Sequence, residues 1–350
     1  MEFGVQFFPN VNPDEKPAAL YFDECLRLCE SFDELGYTHV RTVEHYFHRY
    51  GGYSPNPIVF LTAAAQRTKT ARLITGAVLP VFNHPLKIAG EIGMLDGISN
   101  GRLEVGLARA FLPREFRAFG RTLDESVARF DEGVDQIQRL LEEENVSFEG
   151  QFHSFQDITS MPRPTQKPRP QFWTAALSTQ ESFVKAGKRG DWLMAIPIAG
   201  GKMKELLDIY RDAWKSAGHA GNGRVMLAFF MFCNEDRAEA IRIARDPVDR
   251  YFSSLVESAS DWESGETSED YKNYDKIIAQ LKQENLDTQM EKCSAWVGSP
   301  NNLIDMIRSY DEEVGGIDDA SLQVNFTTIS YEQAYDSIRL FSEKVIPAFK

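Results

Sequence analysis

Positive charge is scarce in this chain of 350 residues: 38 lysines and arginines stand against 52 aspartates and glutamates, a formal net charge of -14. Such a surface repels phosphate backbones and anionic lipid, so nucleic-acid and membrane partners are disfavoured, although one local cationic pocket for a small anion is still allowed. Cysteine is scarce too, with only Cys25, Cys29, Cys233 and Cys293. Cys25 and Cys29 fall one helical turn apart on an apolar stripe and read as buried free thiols, with metal ligation as the second reading. The opening Met-Glu-Phe-Gly-Val-Gln-Phe-Phe has no basic region and no long apolar run, so no signal peptide is expected. No apolar run approaches membrane-spanning length. These features fit a reducing cytoplasm, where the triplets Asn145-Val146-Ser147 and Asn325-Phe326-Thr327 are chance matches to a glycosylation signal.

Several motifs are missing. No Gly-x-Gly-x-x-Gly follows a strand, which disfavours a Rossmann nicotinamide site, and there is no Walker phosphate loop and no Gly-x-Ser-x-Gly elbow. His45 and His48 are three apart but have no partner carboxylate at ligand spacing, so no metal is expected. There is no repeat, low-complexity tract or dividing linker, so residues 1–350 read as one domain.

Hydrophobic residues make up 43% of the chain, enough for a large core. Short apolar runs alternate with amphipathic helices. Strands are expected at Phe3–Phe8, His39–Val43, Leu73–Leu79, Leu103–Leu107, Gln171–Ala175, Trp192–Ile196, Val225–Phe232 and Leu322–Phe326. Between them run helices from Pro17 to Gly36, Asn56 to Arg67 and about Pro85 to Ile98, with a closing helix from Tyr331 to about Pro347. Phe148–Phe155 reads as a hairpin outside the main sheet, and Pro162, Pro164, Pro168 and Pro170 as an extended connection. Eight strand–helix units predict a closed parallel (β/α)8 barrel of the TIM type rather than an open sheet. Residues 254–275 interrupt the rhythm between the seventh and eighth strands with Glu257, Asp261, Glu263, Glu266, Glu269 and Asp270. This stretch is read as a solvated insertion, with a mobile flap over the barrel mouth as the alternative.

Reacting groups of such barrels cluster where strands end. Four places qualify. Glu44-His45-Tyr46-Phe47 follows the second strand, and an imidazole there is suited to proton transfer near neutral pH; the alternative is a histidine bonded to a loop carbonyl. Glu44 either fixes the tautomer of His45 or pairs with an arginine. Arg109, after the fourth strand, either grips a phosphate or makes a structural ion pair. Ser178-Thr179-Gln180-Glu181 is a capping-box pattern with Ser178 as the cap, and the helix start it marks aims backbone N–H groups at the mouth, an anion site that Arg109 would share. Thr75-Gly76, within the third strand, marks either a bulge against a flat ligand or a looser turn. Phe8, Phe47, Phe82, Phe111, Trp192, Phe230 and Trp296 include candidates for an apolar pocket, though most are expected in the core.

Taken in order, Gly4–Phe8, Glu44-His45-Tyr46-Phe47, Leu79-Pro80, His84-Pro85, Leu95-Asp96, Ser99-Asn100-Gly101-Arg102, Gly106-Leu107-Ala108-Arg109, the run from Glu115 to Gly120 and Trp296-Val297-Gly298-Ser299-Pro300 resemble the bacterial luciferase-like flavin monooxygenases. The resemblance covers nearly the whole chain and is most specific from Leu79 to Gly120. It implies a (β/α)8 barrel, usually a homodimer, that takes FMN already reduced (FMNH2) by a separate flavin reductase. It further implies reaction of that flavin with O2 to a hydroperoxide, which oxidises a small-molecule substrate. By the same resemblance His45 acts on proton movement, Arg109 and the turn Ala176, Leu177, Ser178, Thr179 hold the phosphate, and the backbone at Thr75 and Gly76 lies against the flavin ring. Ala108 stands where the light-emitting subunit has a reactive cysteine, and Tyr46 where it has a second histidine. Both departures weigh against an aldehyde substrate and light emission. Two alternatives remain: a deazaflavin-dependent oxidoreductase on the same barrel, with a long acidic cofactor tail that suits an acidic chain poorly, and a non-catalytic luciferase-like subunit, against which the presence of both His45 and Arg109 argues.

Overall fold

From Phe3 to Phe7 every residue of the first strand is buried. A run with no solvent face belongs to a parallel strand covered on both sides, by helices outside and side chains within. The computed structural model describes residues 1–350 and contains eleven strands: β1 (Glu2–Phe7), β2 (His39–Thr42), β3 (Arg72–Thr75), β4 (Leu103–Leu107), β5 (Val146–Glu149), β6 (Ser154–Ile158), β7 (Phe172–Ala176), β8 (Trp192–Ala195), β9 (Val225–Cys233), β10 (Ala295–Gly298) and β11 (Asp319–Gln323). Strands β1, β2, β3, β4, β7, β8, β9 and β11 pair in that order, all parallel, and β11 returns to β1 with Val5 opposite Leu322, so the expected eight-stranded barrel is closed. The hairpin β5–β6 stands apart as an antiparallel pair with Phe148 opposite Phe155.

Strand β10 was not anticipated. It pairs with the second half of β9, Ala295 opposite Phe230 through Gly298 opposite Cys233, beyond the point where β8 stops at Leu227. The nine-residue length of β9 makes room for both neighbours. Three expected boundaries also move. The third strand ends at Thr75 rather than Leu79, and the chain rejoins the sheet only at a single bridge between Val78 and Leu107. The eighth barrel strand runs Asp319–Gln323, not Leu322–Phe326. Its first residue is a carboxylate that reads as loop in the sequence, but Asp319 is fully buried and neutralised by Arg72 at 2.5 Å and by Arg224. The first helix is broken into Ala18–Cys29 and Phe32–Leu35, and Gly36 (φ 77°) closes the second piece.

The barrel interior is stratified. Arg72, Arg224, Glu2, Glu104 and Asp319 form an ion-pair cluster at the amino end, with buried His39 at 3.8 Å from Asp319. Burial and the charges of Arg72, Arg41 and Arg224 pull His39 down to about 3 against the attraction of Asp319, so it is neutral. A Cβ on Gly4 would lie 2.2 Å from the His39 ring, which is why that strand position carries no side chain. Above this layer Ile74, Trp173, Met194 and Met226 make an apolar plug. Polar side chains return above the plug, at the end where the site lies.

Candidate active site

At the carboxyl ends of the strands the barrel opens into a cavity of ≈ 530 Å³ whose 43 lining residues include 26 hydrophobic ones. An enclosure of this size with few polar groups suits an organic ligand. His45, Gly76, Arg109, Ala176, Leu177, Ser178 and Thr179 all line it. Thr75 does not: its hydroxyl accepts from Gly106 N at 2.8 Å and donates to Gly106 O at 2.9 Å, clipping β3 to β4 behind the wall that Gly76 and Ala77 form. Of the aromatic candidates, Phe8, Phe111 and Phe230 reach the cavity, Trp296 is core, and Phe47 is 56% exposed.

His45 leaves β2 by three residues and packs its ring against Phe8, Tyr50 and Phe111. Its Nδ1 lies 3.2 Å from Glu115 Oε1, which also accepts the Tyr46 backbone N–H at 2.8 Å. Glu115 sits on the short helix Pro113–Ala118, is fully buried, and its Oε2 has no partner. This carboxylate was overlooked in the sequence, where it is one acid among 52 in a local Glu-Phe-Arg run and nothing marks it as facing inward. Glu44 fills neither role expected of it. It touches no arginine and does not reach His45; it accepts from Tyr46 Oη at 2.5 Å, Asn83 Nδ2 at 2.8 Å and Leu79 N at 3.1 Å. Burial pushes its carboxyl up to about 7 against the pull of those three donors.

Arg41 is the second residue missed. It points inward from the middle of β2, is 8% exposed, and donates from Nη2 to the Gly76 carbonyl at 3.1 Å and from Nη1 to Gln6 Oε1. A Cβ on Gly76 would come within 2.0 Å of Arg41 Nε, so the arginine itself accounts for that glycine. The signal was available: a cation in the inward phase of a buried strand, with a glycine just past the end of the next strand, two residues beyond its partner Ile74.

Arg109 lies on the rim. Its Nη1 makes long hydrogen bonds to Ser126 Oγ at 3.4 Å and to the Asp270 carbonyl at 3.3 Å, and its guanidinium carbon is 4.9 Å from the Tyr271 ring centre. After β7, the strand next to the one Arg109 follows, the helix Gln180–Arg189 begins, but the capping box does not form. Thr179 rather than Ser178 is the N-cap residue, no side chain caps the first turn, and Thr179 Oγ1 pairs with Ser182 Oγ at 2.7 Å while Glu181 turns to Lys185. A first turn without a capping side chain leaves N–H groups for an anion.

Residues 254–275 are not a solvated excursion. The first five end the helix Arg237–Ser258, two 3-10 turns follow, and the last two open the helix Tyr274–Leu281. Trp262, Tyr271 and Tyr274 are buried; Trp262 Nε1 and Tyr271 Oη donate to the carbonyls of Phe111 and Ala110, both at 2.9 Å. Asp261 and Glu266 each hold Arg117 at 2.8 Å. Asp270 turns inward and accepts from Ser126 Oγ at 3.1 Å and Val127 N at 3.0 Å, and the aromatic rings tie the segment over the mouth, where Tyr274 lines the cavity.

No three histidine, cysteine or acidic side chains converge as a metal site. Cys25, Cys29 and Cys233 are buried free thiols and Cys293 is half-buried; burial pushes Cys25 up to about 12. No helix is long and apolar enough to cross a membrane.

A family model described as luciferase-like monooxygenase matches residues 1–316. The oxygenase component of a flavin-dependent trigonelline monooxygenase from Acinetobacter baylyi is 27% identical over 96% of this chain and 92% of its own. Among solved structures, the monooxygenase RslO1 from Streptomyces bottropensis superposes with a TM-score of 0.89 at 40% identity, covering 100% of both chains. The oxygenating constituent of 3,6-diketocamphane monooxygenase from Pseudomonas putida, in complex with FMN, superposes at 0.83 with 21% identity over 99% of this chain and 98% of its own, a likeness of fold.

Proposed function

The chain belongs to the luciferase-like monooxygenases and is a flavin-dependent oxidoreductase; from that premise we propose that it oxidises a small organic molecule with O2, using FMN that a separate reductase delivers already reduced. The carrying observation is that His45, Arg109 and the start of the helix Gln180–Arg189, remote from one another in sequence, open on one cavity. Those residues fit a phosphorylated flavin. Arg109 and the turn Ala176, Leu177, Ser178, Thr179 would hold the phosphate through a guanidinium and first-turn amides. Gly76 and Ala77, on the cavity side of Thr75, offer a wall without side-chain bulk for the ring. Bound reduced flavin would supply the electrons and activate O2, by the hydroperoxide route set out above.

The protein's own part is proton handling and exclusion of water. Glu115 holds His45 at Nδ1, which leaves Nε2 to give or take a proton at the reacting atoms. The segment 254–281 covers the mouth and keeps water out. The trigonelline enzyme is an oxygenase component, which supports a reductase partner here. Val59 at 69% and Met94 at 58% exposure lie on the adjoining helices Pro57–Ala65 and Pro85–Ile98, an apolar face that supports a homodimer. We read residues 1–350 as one catalytic domain acting in the cytoplasm.

Equilibrium dialysis against reduced FMN and a reduced deazaflavin, without oxygen, tests the reading. Tighter binding of FMN, weakened about tenfold or more by Arg109→Ala, is expected. Preference for the deazaflavin, or no binding of either, would overturn it.

A further inference from the structure

The floor of the cavity carries a cation that the roles above leave unused. Arg41 makes hydrogen bonds only to neutral groups: Gln6 Oε1, the Gly76 carbonyl and, at 3.6 Å, Met194 Sδ. No carboxylate neutralises it, and its Nε has no partner. Gln6 passes the polarisation on, donating from Nε2 to Gln323 Oε1 at 3.3 Å, and Gln323 Nε2 is likewise without a partner. All three side chains are buried and all three line the cavity. Burial draws Arg41 down only to about 10, so the charge persists at neutral pH. An uncompensated buried guanidinium beside an unsatisfied amide is costly in an empty barrel and is relieved by a ligand that brings negative charge and acceptor atoms.

The position of Arg41 indicates which part of the ligand that is. Its Nη2 bonds the carbonyl of Gly76, the residue that forms the flat wall, so a ring lying on that wall comes within reach of the guanidinium. The phosphate cannot be the group in question, because Arg109 and the helix start stand on the rim. The phosphate also has the same charge whether the flavin is oxidised or reduced. The ring does not: the oxidised ring is neutral, whereas the reduced ring releases its N1 proton to solvent and becomes an anion near neutral pH. Rim contacts therefore hold both redox forms alike, and only a cation deep in the cavity tells them apart.

We propose that Arg41, supported by Gln6 and Gln323, is the charge partner of the reduced flavin ring and makes this cavity select reduced over oxidised FMN. The proposal rests on the reading of the cavity as a flavin site. It deepens that reading by identifying how the protein would take its cofactor after reduction and release it after oxidation.

The test is the ratio of the dissociation constants for oxidised and reduced FMN, measured by fluorescence titration of the purified full chain, with dithionite-reduced FMN under nitrogen for the second value. Arg41→Gln keeps hydrogen-bond donors and removes the charge; Arg41→Lys keeps the charge. The Gln variant is expected to lower the ratio about tenfold, equivalent to about 30 mV in the two-electron potential of the bound flavin, with oxidised-FMN affinity changed less than about threefold. The Lys variant is expected to keep the ratio within about threefold of the parent. A ratio unchanged in the Gln variant, or lowered equally in both, would overturn the proposal. Should the Gln variant fail to fold, the Lys variant and Gln323→Leu carry the test, a preserved ratio in the first and a lowered one in the second being required. Failure of the parent chain to bind either form of FMN would instead sink the flavin reading itself.

Discussion

His45 Nδ1 and Glu115 Oε1 stand 3.2 Å apart, joining the loop after β2 to the helix after β4. Glu115 is fully buried and also receives the Tyr46 amide, so one carboxylate fixes both the imidazole and the backbone beside it. Glu115→Gln keeps an acceptor for the Tyr46 amide but withdraws the negative charge that supports a protonated imidazole. Turnover in a reductase-coupled assay is expected to fall about 10²-fold, with a similar or larger loss for His45→Ala and little extra loss when both are combined. Additive losses would show that the two do not act as a unit.

Glu44 makes the protein's stability depend on pH in a definite direction. Its carboxyl titrates at an ordinary 4.5 when exposed and is pushed up to about 7 by burial. Between those values the folded chain binds a proton that the unfolded chain has released, so stability falls as pH rises through this window and is level above it. In Glu44→Gln the Tyr46 hydroxyl can turn and the Asn83 amide can flip to satisfy the new side chain. Urea unfolding at pH 5 and pH 8 should show the variant losing about 3 kcal/mol less than the parent over that interval. Equal losses would mean that Glu44 is ionised throughout.

At the opposite end of the barrel Asp319 is the hub for two guanidiniums and is fully buried. Asp319→Asn leaves Arg72 and Arg224 with only Glu2 and Glu104. The expected cost is about 3 kcal/mol, the lower end for breaking a buried pair because both arginines keep some exposure. The urea midpoint reports it, and FMN affinity should hardly change, since the apolar plug separates the two ends.

Much of the architecture was legible. Apolar runs and capping signals placed all eight barrel strands, because parallel strands buried on both faces leave a strong pattern. The starts of β1 and β11 were hidden because Glu2 and Asp319 look like loop residues until Arg72 and Arg224 come from elsewhere to neutralise them. The cavity lining was legible where a polar residue type stands just past a strand end, as with His45 and Arg109. It was not legible where the role depends on a distant partner. Glu115 matters only because its helix folds back onto His45, and Arg41 only because Gly76 opens a space beside it. The acidic composition of 254–275 obscured three aromatic rings that decide how the segment packs.

That packing can be probed. Arg117 with Asp261 and Glu266 is an exposed arrangement, and Arg117→Ala should alter stability by less than about 1 kcal/mol. Trp262 is 2% exposed and anchored on the Phe111 carbonyl. Trp262→Ala should free the segment, seen as faster limited proteolysis within 254–275 and as more peroxide released per flavin oxidised. A cleavage rate equal to that of the parent would show that the ring does not hold the cover closed.

The central claim, that this cavity holds reduced FMN and governs its reaction with O2, is tested most directly by rapid mixing of the anaerobic complex with oxygenated buffer while flavin absorbance is followed. The account predicts reoxidation in two phases, the second slower than for free reduced FMN and accelerated in Trp262→Ala. A single phase indistinguishable from free flavin at saturating protein would contradict it.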